Sequence, residues 1–390
     1  MRLINTTTFE FKEFFNPRDV EYVIVSHRWT DEEVSYEEYP LYLSSARTAG
    51  RGWTKIQKAC EIAKAADVSW KSSAELTEAI NSMYNFYASA YLCCVFLHDV
   101  HPSPLLEPES YCRREEFENS EWFTRGWTLQ EVLAPKHICF FNSQFEWIGT
   151  EEKHAQLIAE ITKIDPKCLA DPLVIQHTTV GTRLTWASSR HTTRDEDIGY
   201  CLLGLLDVNM PLLYGEGGTK AFQRLQLELI RKTDDETVFA WGSADSHPDD
   251  SLSGPLTSSP ADFRSPATVA MKKRYARGFR LPCSMTNKGL QLTLDFPTEL
   301  KMGFRLKRRT QEKIFSSRLA APVLLPLRCT RTIADGGLEA LAIAFTAEVV
   351  SREERAMEGR RLYILASTLE RAETQWTTPE HQWGMRDWGV

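Results

Sequence analysis

The chain has 390 residues, 42% hydrophobic and 25% charged, enough for a packed core and long for one small domain, so two or three domains are expected. A net charge of −7 argues against a general nucleic-acid binder, whose affinity rests on neutralising phosphates. No apolar run approaches the roughly 20 residues that cross a bilayer, and MRLINTTTFEFKEFF lacks the basic start and apolar centre of a signal peptide; a cytoplasmic protein without a membrane span is the expectation.

Taken in chain order, EYVIVSHRW (21–29) reads as a buried strand, Tyr22 to Val25, with Ser26, His27, Arg28 and Trp29 at its carboxyl end. That is where an open α/β sheet usually places its chemistry, although a capping histidine is an equally good reading of His27. Residues 31–51 are polar and irregular. In GWTKIQKACEIAKAA, Trp53, Ile56, Cys60 and Ala63 share one face of an amphipathic helix. The next stretch, ADVSWKSSAEL, offers strand character only at Val68 and Trp70. Helix resumes at Ser73, with Leu76, Ile80, Met83 and Tyr87 on one stripe, and Glu75 in the first turn complements the helix dipole. YLCCVFL (91–97) is a continuous apolar run, a buried parallel strand ending in His98-Asp99.

Residues 117–135, FENSEWFTRGWTLQEVLAP, concentrate Trp122, Phe123, Trp127, Arg125 and Glu131 in a short span. Trp127, Leu129, Val132 and Leu133 recur at near-helical spacing until Pro135 stops the run. Trp127 and Glu131 stand four residues apart, so ring and carboxylate share a helix face. A carboxylate beside a wide aromatic surface suits a site that stacks a flat ring and stabilises positive charge. The same spacing fits, more simply, a buried helix whose Arg125 and Glu131 pair locally. HICFFNSQFEWIG then adds a strand and a short extension. The pattern to residue 149 is that of an open, mostly parallel sheet with helices on both sides.

Residues 150–235 read as largely helical, with Phe222, Leu225 and Leu229 forming a stripe. Gly215, Gly217 and Gly218 read as a turn into that helix rather than a phosphate cradle, because no apolar strand precedes them and no Lys-Ser/Thr follows. The mixed-sign run Arg190 to Asp197 reads as a salt-bridged helix start that ties this region to the sheet domain. Residues 243–266 are rich in Ser, Pro, Asp and Gly and mark a linker or long surface loop. Short alternating segments follow, so the last third is β-rich, a small sandwich or barrel. The expected division is 1–149 (core about 21–135), a helical extension 150–242 packed on it, and a linker with a β-rich domain over 243–390. The nine cysteines form no C-x-x-C pair and no cluster with zinc spacing, which predicts free thiols and no metal.

YVIVSHRW, KIQKAC, SSAELTEAINSMYNFYASA and FTRGWTLQEVLAP together closely resemble the fungal heterokaryon incompatibility (HET) domain. The continuation from RLTWASSRHTTRDEDIGYCLLG to DDETVFAW resembles the segment that follows that domain in many such proteins, and SPADF and SMTNKGLQL resemble pieces of the same subfamily. The resemblance covers most of residues 1–290. It implies non-self recognition, in which HET domains trigger cell death when incompatible fungal cells fuse, with self-association or another incompatibility protein as partner. HET domains are in turn distantly similar to TIR domains, some of which hydrolyse NAD, and this implies a flavodoxin/TIR-like sheet. The acid of the TIR pattern W-C-x-x-E-L is catalytic, and Glu131 in WTLQEV is its match. Ser26, His27, Arg28, Trp29, Arg125 and Trp127 would then bind substrate, with NAD the substrate and no cofactor. Breaking the nicotinamide–ribose bond passes through an oxocarbenium-like state that one positioned carboxylate stabilises, and Trp127 or Trp29 would stack on a ring.

One departure stands out. The HET pattern has a strand resembling YVWIDTCCID between the KIQKAC helix and SSAEL. Here Ala66-Asp67-Val68-Ser69-Trp70 leads straight to Lys71, so most of that strand is expected to be absent. In the strand order 2-1-3-4 it lies at the edge, so its loss would leave the first strand as a new edge. Two further readings stay open: a non-enzymatic, self-associating signalling module with a structural Glu131, and a degenerate, inactive copy. Where Glu131 points separates enzyme from module: an open cleft with Ser26, His27 and Trp29, or burial against Arg125.

Overall fold

In a computed structural model, residues 1–28, 33–44, 50–72, 80–102, 113–241 and 256–263 are described, together with the backbone of six strands between 269 and 370. Contacts divide the chain into two units, Met1–Thr178 with Ser189–Ala221 and Thr179–Ser188 with Phe222–Val390. Trp29, Ser73, Glu75, Leu76 and residues 242–255 lie outside the described residues.

The first unit is built on seven strands: β1 (Arg2–Asn5), β2 (Phe11–Glu13), β3 (Val23–His27), β4 (Trp70–Ser72), β5 (Leu92–Phe96), β6 (Ile138–Phe141) and β7 (Trp147–Thr150), in the order β2-β1-β4-β3-β5-β6-β7. The expected α/β character is present, but the sheet is mixed rather than mostly parallel. β4, β3, β5 and β6 run parallel, which is the order 2-1-3-4 for these four, whereas β1 pairs antiparallel with both β2 and β4, and β7 with β6.

Of the strand expected to be mostly absent, the three residues of β4 remain. Lys71 of β4 lies in register with Val23 of β3, and the outer side of β4 is taken by β1, with Leu3 opposite Ser72 and Ile4 opposite Lys71. The first parallel strand is therefore internal, contrary to the expectation of a new edge. Leu3 and Ile4 are buried, and Ile4 packs with Val34, Tyr39, Trp53 and Cys60. Cross-strand packing of this kind overrides the weak strand propensity of DVSWKS.

Eleven described helices are α1 (Tyr39–Leu43), α2 (Arg51–Ala65), α3 (Met83–Ser89), α4 (Arg114–Glu118), α5 (Thr128–Leu133), α6 (Glu151–Thr162), α7 (Pro166–Ala170), α8 (Pro172–Ile175), α9 (Val180–Thr185), α10 (Asp197–Tyr200) and α11 (Gly218–Lys232). α1 interrupts the stretch expected to be irregular. α2 buries Trp53, Cys60 and Ala63 of the expected apolar face, and sets Ala59 and Ala63 against Val23, Cys94, Phe96 and Phe141 of the sheet. Alternation along β3 turns Val23, Val25 and His27 toward α2, and Ile24 and Ser26 toward the opposite face, where α5 lies.

In the second unit, α9 begins with Val180 N–H donating to Asp235 (2.7 Å) and Gly181 N–H to Thr237 Oγ1 (2.8 Å). Phe222, Leu225 and Leu229 of α11 are buried as one stripe. The strands β8 (Val269–Met271), β9 (Cys283–Thr286), β10 (Gly289–Asp295), β11 (Pro322–Thr332), β12 (Leu338–Val349) and β13 (Arg361–Glu370) pair antiparallel in the order β8-β11-β12-β13-β10-β9. No helix among the described residues is long and apolar enough to cross a membrane. None of their His, Cys, Asp and Glu side chains cluster to hold a metal ion, and the six described cysteines carry free thiols.

Candidate functional site

All six residues of α5 are buried. Glu131 is 6% exposed, and its Oε2 accepts a hydrogen bond from Ser26 Oγ on β3. Ser26 Oγ accepts in turn from Trp122 Nε1 at 2.7 Å, and the Tyr87 hydroxyl of α3 also bonds the carboxyl group. Burial pushes the Glu131 pKa up to about 7, opposed by the Ser26 bond and by the positive charges of Arg125 and Arg190. Near neutral pH such a group is populated in both protonation states, the condition in which a carboxyl group serves as either acid or base.

Arg190 reaches this site from far along the chain. It is buried, and its Nη1 donates to the Arg125 carbonyl (2.8 Å) and to Thr128 Oγ1 (2.9 Å). The backbone follows suit, with Gly126 N–H on the His191 carbonyl (2.8 Å) and His191 N–H on that of Thr124 (2.9 Å). Gly126 allows this approach, because a Cβ there would stand 2.5 Å from Thr192 Cγ2 and 3.0 Å from Cys201 Sγ. Trp127 Nε1 donates to Asp197 Oδ2 (3.0 Å), and the Tyr214 hydroxyl takes Asp197 Oδ1 (2.9 Å). Glu196 Oε1 accepts from the Gly215 and Gly217 amides (2.8 and 3.0 Å), so those glycines close a turn on a carboxylate. The mixed-sign run from Arg190 to Asp197 thus ties this region to the sheet through hydrogen bonds to carbonyl, hydroxyl, indole and amide groups.

His27 belongs to a different cluster, on the α2 face. Its Nε2 lies 3.5 Å from Glu33 Oε1, which also pairs with Lys55, and the three side chains are only 11–13% exposed. Burial alone would raise the Glu33 pKa, but the bonds and charges of His27 and Lys55 bring it down to about 2; burial lowers that of His27. A cavity of about 30 Å³ opens there, lined by His27 and Arg28 at the end of β3, Phe96 and His98 at the end of β5, and Arg51, Gly52 and Lys55 of α2. The carboxyl ends of β3 and β5 are the point where the parallel strand order reverses. A wider polar cleft of about 390 Å³ is lined by Asn81, Ser82, Tyr84, Asn85 and residues of 203–209. Glu131 lines neither space.

Of the residues singled out in the sequence, Ser26 meets Glu131 directly and Arg125 stands nearby, its carbonyl held by Arg190. His27 lies across the sheet, Arg28 pairs with Glu121 at the surface, and Trp127 is turned to Asp197. Trp29 is outside the described residues. Period-2 alternation was a readable reason to separate Ser26 from His27. Tyr87 stood on an expected helical stripe, but nothing in the local sequence marked Arg190, Glu33 or Lys55 as neighbours of these groups.

The fold and site thus define an α/β domain with a flavodoxin-like order in its parallel core and a buried, near-neutral carboxyl group against its first parallel strand. No family model and no solved structure matches the chain. Over 233 residues it is 37% identical to the vegetative incompatibility protein HET-E-1 of Podospora anserina, an alignment covering 55% of this chain and 16% of that protein. The similarity to a heterokaryon incompatibility protein therefore extends over more than half of the chain, while most of HET-E-1 lies outside the alignment.

Proposed function

We propose that the chain acts in vegetative incompatibility, as a HET-type effector of non-self recognition and cell death in the cytoplasm, with a second copy or another incompatibility protein as partner. The 37% identity to HET-E-1 supports this role. The chemistry we assign to it is TIR-like hydrolysis of NAD at Glu131, and the observation that carries this assignment is the desolvated carboxyl group, with a pKa of about 7, bonded to Ser26. In that reaction the bond between ribose C1′ and the nicotinamide nitrogen breaks, and nicotinamide leaves with the electron pair. The ionised carboxylate stabilises the oxocarbenium-like state, and water adds to C1′ and gives up its proton. Glu131 lines neither cavity, so a dinucleotide reaches it only after local opening. That burial is also the observation favouring a second reading, a self-associating module in which Glu131 is structural.

The test is expression of the chain and of Glu131→Gln in a fungal host, with growth, protein level and cellular NAD followed together. Killing with NAD loss by the parent alone, at equal accumulation, is the expected result. Killing by both proteins without NAD loss moves the assignment to the association module, and growth of both strains overturns the effector role.

A further inference from the structure

The cavity at the carboxyl ends of β3 and β5 plays no part in that chemistry, because the sheet separates it from Glu131. Its wall holds three cations, Arg28, Arg51 and Lys55, two histidines, His27 and His98, and, among the described residues, no carboxylate. Acids already pair with several of these groups: Glu33 holds Lys55 and His27, Asp99 Oδ1 lies 3.8 Å from His98 Nδ1, and Glu121 pairs with Arg28 at the surface. Arg51 lies at the mouth, its Nη2 3.4 Å from the Ser143 carbonyl. The 15-residue helix α2 meets the cavity with its first turn, at Arg51 and Gly52. Its N-cap residue, Gly50, makes no side-chain cap, and the first turn contains no acid, so the free amides of that turn have no anionic partner on their own helix.

Lys71 adds a further positive charge on this side of the sheet. It is 4% exposed, and burial lowers its pKa to about 8, opposed in part by the nearby Glu33 charge. Its register with Val23 puts it on the α2 face, and its charge bears on His27. An anion in the cavity would meet the Arg51 and Lys55 charges together. A volume of about 30 Å³ suits a terminal group rather than a sugar or base. We propose that this cavity binds the phosphoryl group of a small molecule, held by Arg51, Lys55, His98 and the first-turn amides of α2. This inference stands independently of the reading of Glu131.

The test is calorimetric titration of the full chain with inorganic phosphate, pyrophosphate and AMP at constant ionic strength, beside Arg51→Gln, His98→Gln and Glu131→Gln. Arg51 is exposed and His98 half-buried, so their variants are expected to fold, and circular dichroism checks this. Phosphate is expected to bind the parent and Glu131→Gln alike and to bind Arg51→Gln about tenfold more weakly, as loss of one charge-assisted bond predicts. Tighter binding of AMP than of phosphate identifies a nucleotide as the source of the group, and the reverse identifies free phosphate. Absence of phosphate binding to the parent at millimolar concentration overturns the proposal. So does equal binding by the parent, Arg51→Gln and His98→Gln, or displacement by the same concentration of chloride.

Discussion

The Glu131 carboxyl group titrates differently in the folded and unfolded chain. Its ordinary value of 4.5 rises to about 7 on folding, because burial disfavours the charge. Between these values the unfolded chain has released a proton that the folded chain keeps, so this group's contribution to stability falls as pH rises through that window and levels off above it. The gap corresponds to as much as about 3 kcal/mol. Glu131→Gln has no such titration, and its stability relative to the parent is expected to climb by up to that amount from pH 4.5 to 7, measured by denaturant unfolding across the range. A difference that stays flat with pH would show that Glu131 ionises normally. The partners that set this environment were unevenly legible. Ser26 and Trp122 sat in stretches that drew attention as sequence, whereas Arg190 reaches the site through a loop closure that no local pattern records.

At the level of elements, the amino-terminal hairpin changes how the short β4 is understood. Three residues with one register pair on β3 make a poor edge strand, yet β1 covers them, and Ile4 is 2% exposed in the cluster with Tyr39, Trp53 and Cys60. Ile4→Ala is therefore expected to destabilise by about 2–5 kcal/mol, whereas Phe15→Ala, at a fully exposed side chain, is expected to change stability by less than about 0.5 kcal/mol. Equal, small effects in thermal unfolding would mean that the hairpin is no working part of the sheet. Strong periodicity made α2, β5 and α11 readable from the residues alone, and the faces expected for them are largely the faces they bury. β1 went unread and β4 was legible only as the remnant of a strand, because their strand character is weak and comes from one another: each is stabilised by backbone pairing and shared burial, which only the partner supplies.

At the scale of the whole molecule, the first unit is discontinuous in sequence. Residues 189–221 return to it after an excursion and hold the loop before α5 through the His191 backbone, Arg190 and Asp197. A fragment ending at residue 149 would leave the buried polar groups of that loop without these partners, a situation that costs about 1–3 kcal/mol for each group. A 1–149 fragment is expected to be aggregated or molten, and a 1–241 fragment, which restores those residues, to unfold cooperatively; circular dichroism and gel filtration distinguish them. Cooperative folding of 1–149 would show that the returning segment is dispensable.

The sequence by itself determined the α/β class, the apolar faces of the longer elements and the likeness to heterokaryon incompatibility proteins. These are written in local periodicity and contiguous motifs, which need no knowledge of what lies opposite. Only the tertiary structure decided that Ser26 and His27 serve opposite faces, that Arg190 stands beside Glu131, that β1 shields β4, and that a cationic cavity opens where β3 and β5 diverge. Periodicity records which side of an element is apolar, while the identity of the neighbour on that side is set by the pairing of segments far apart along the chain.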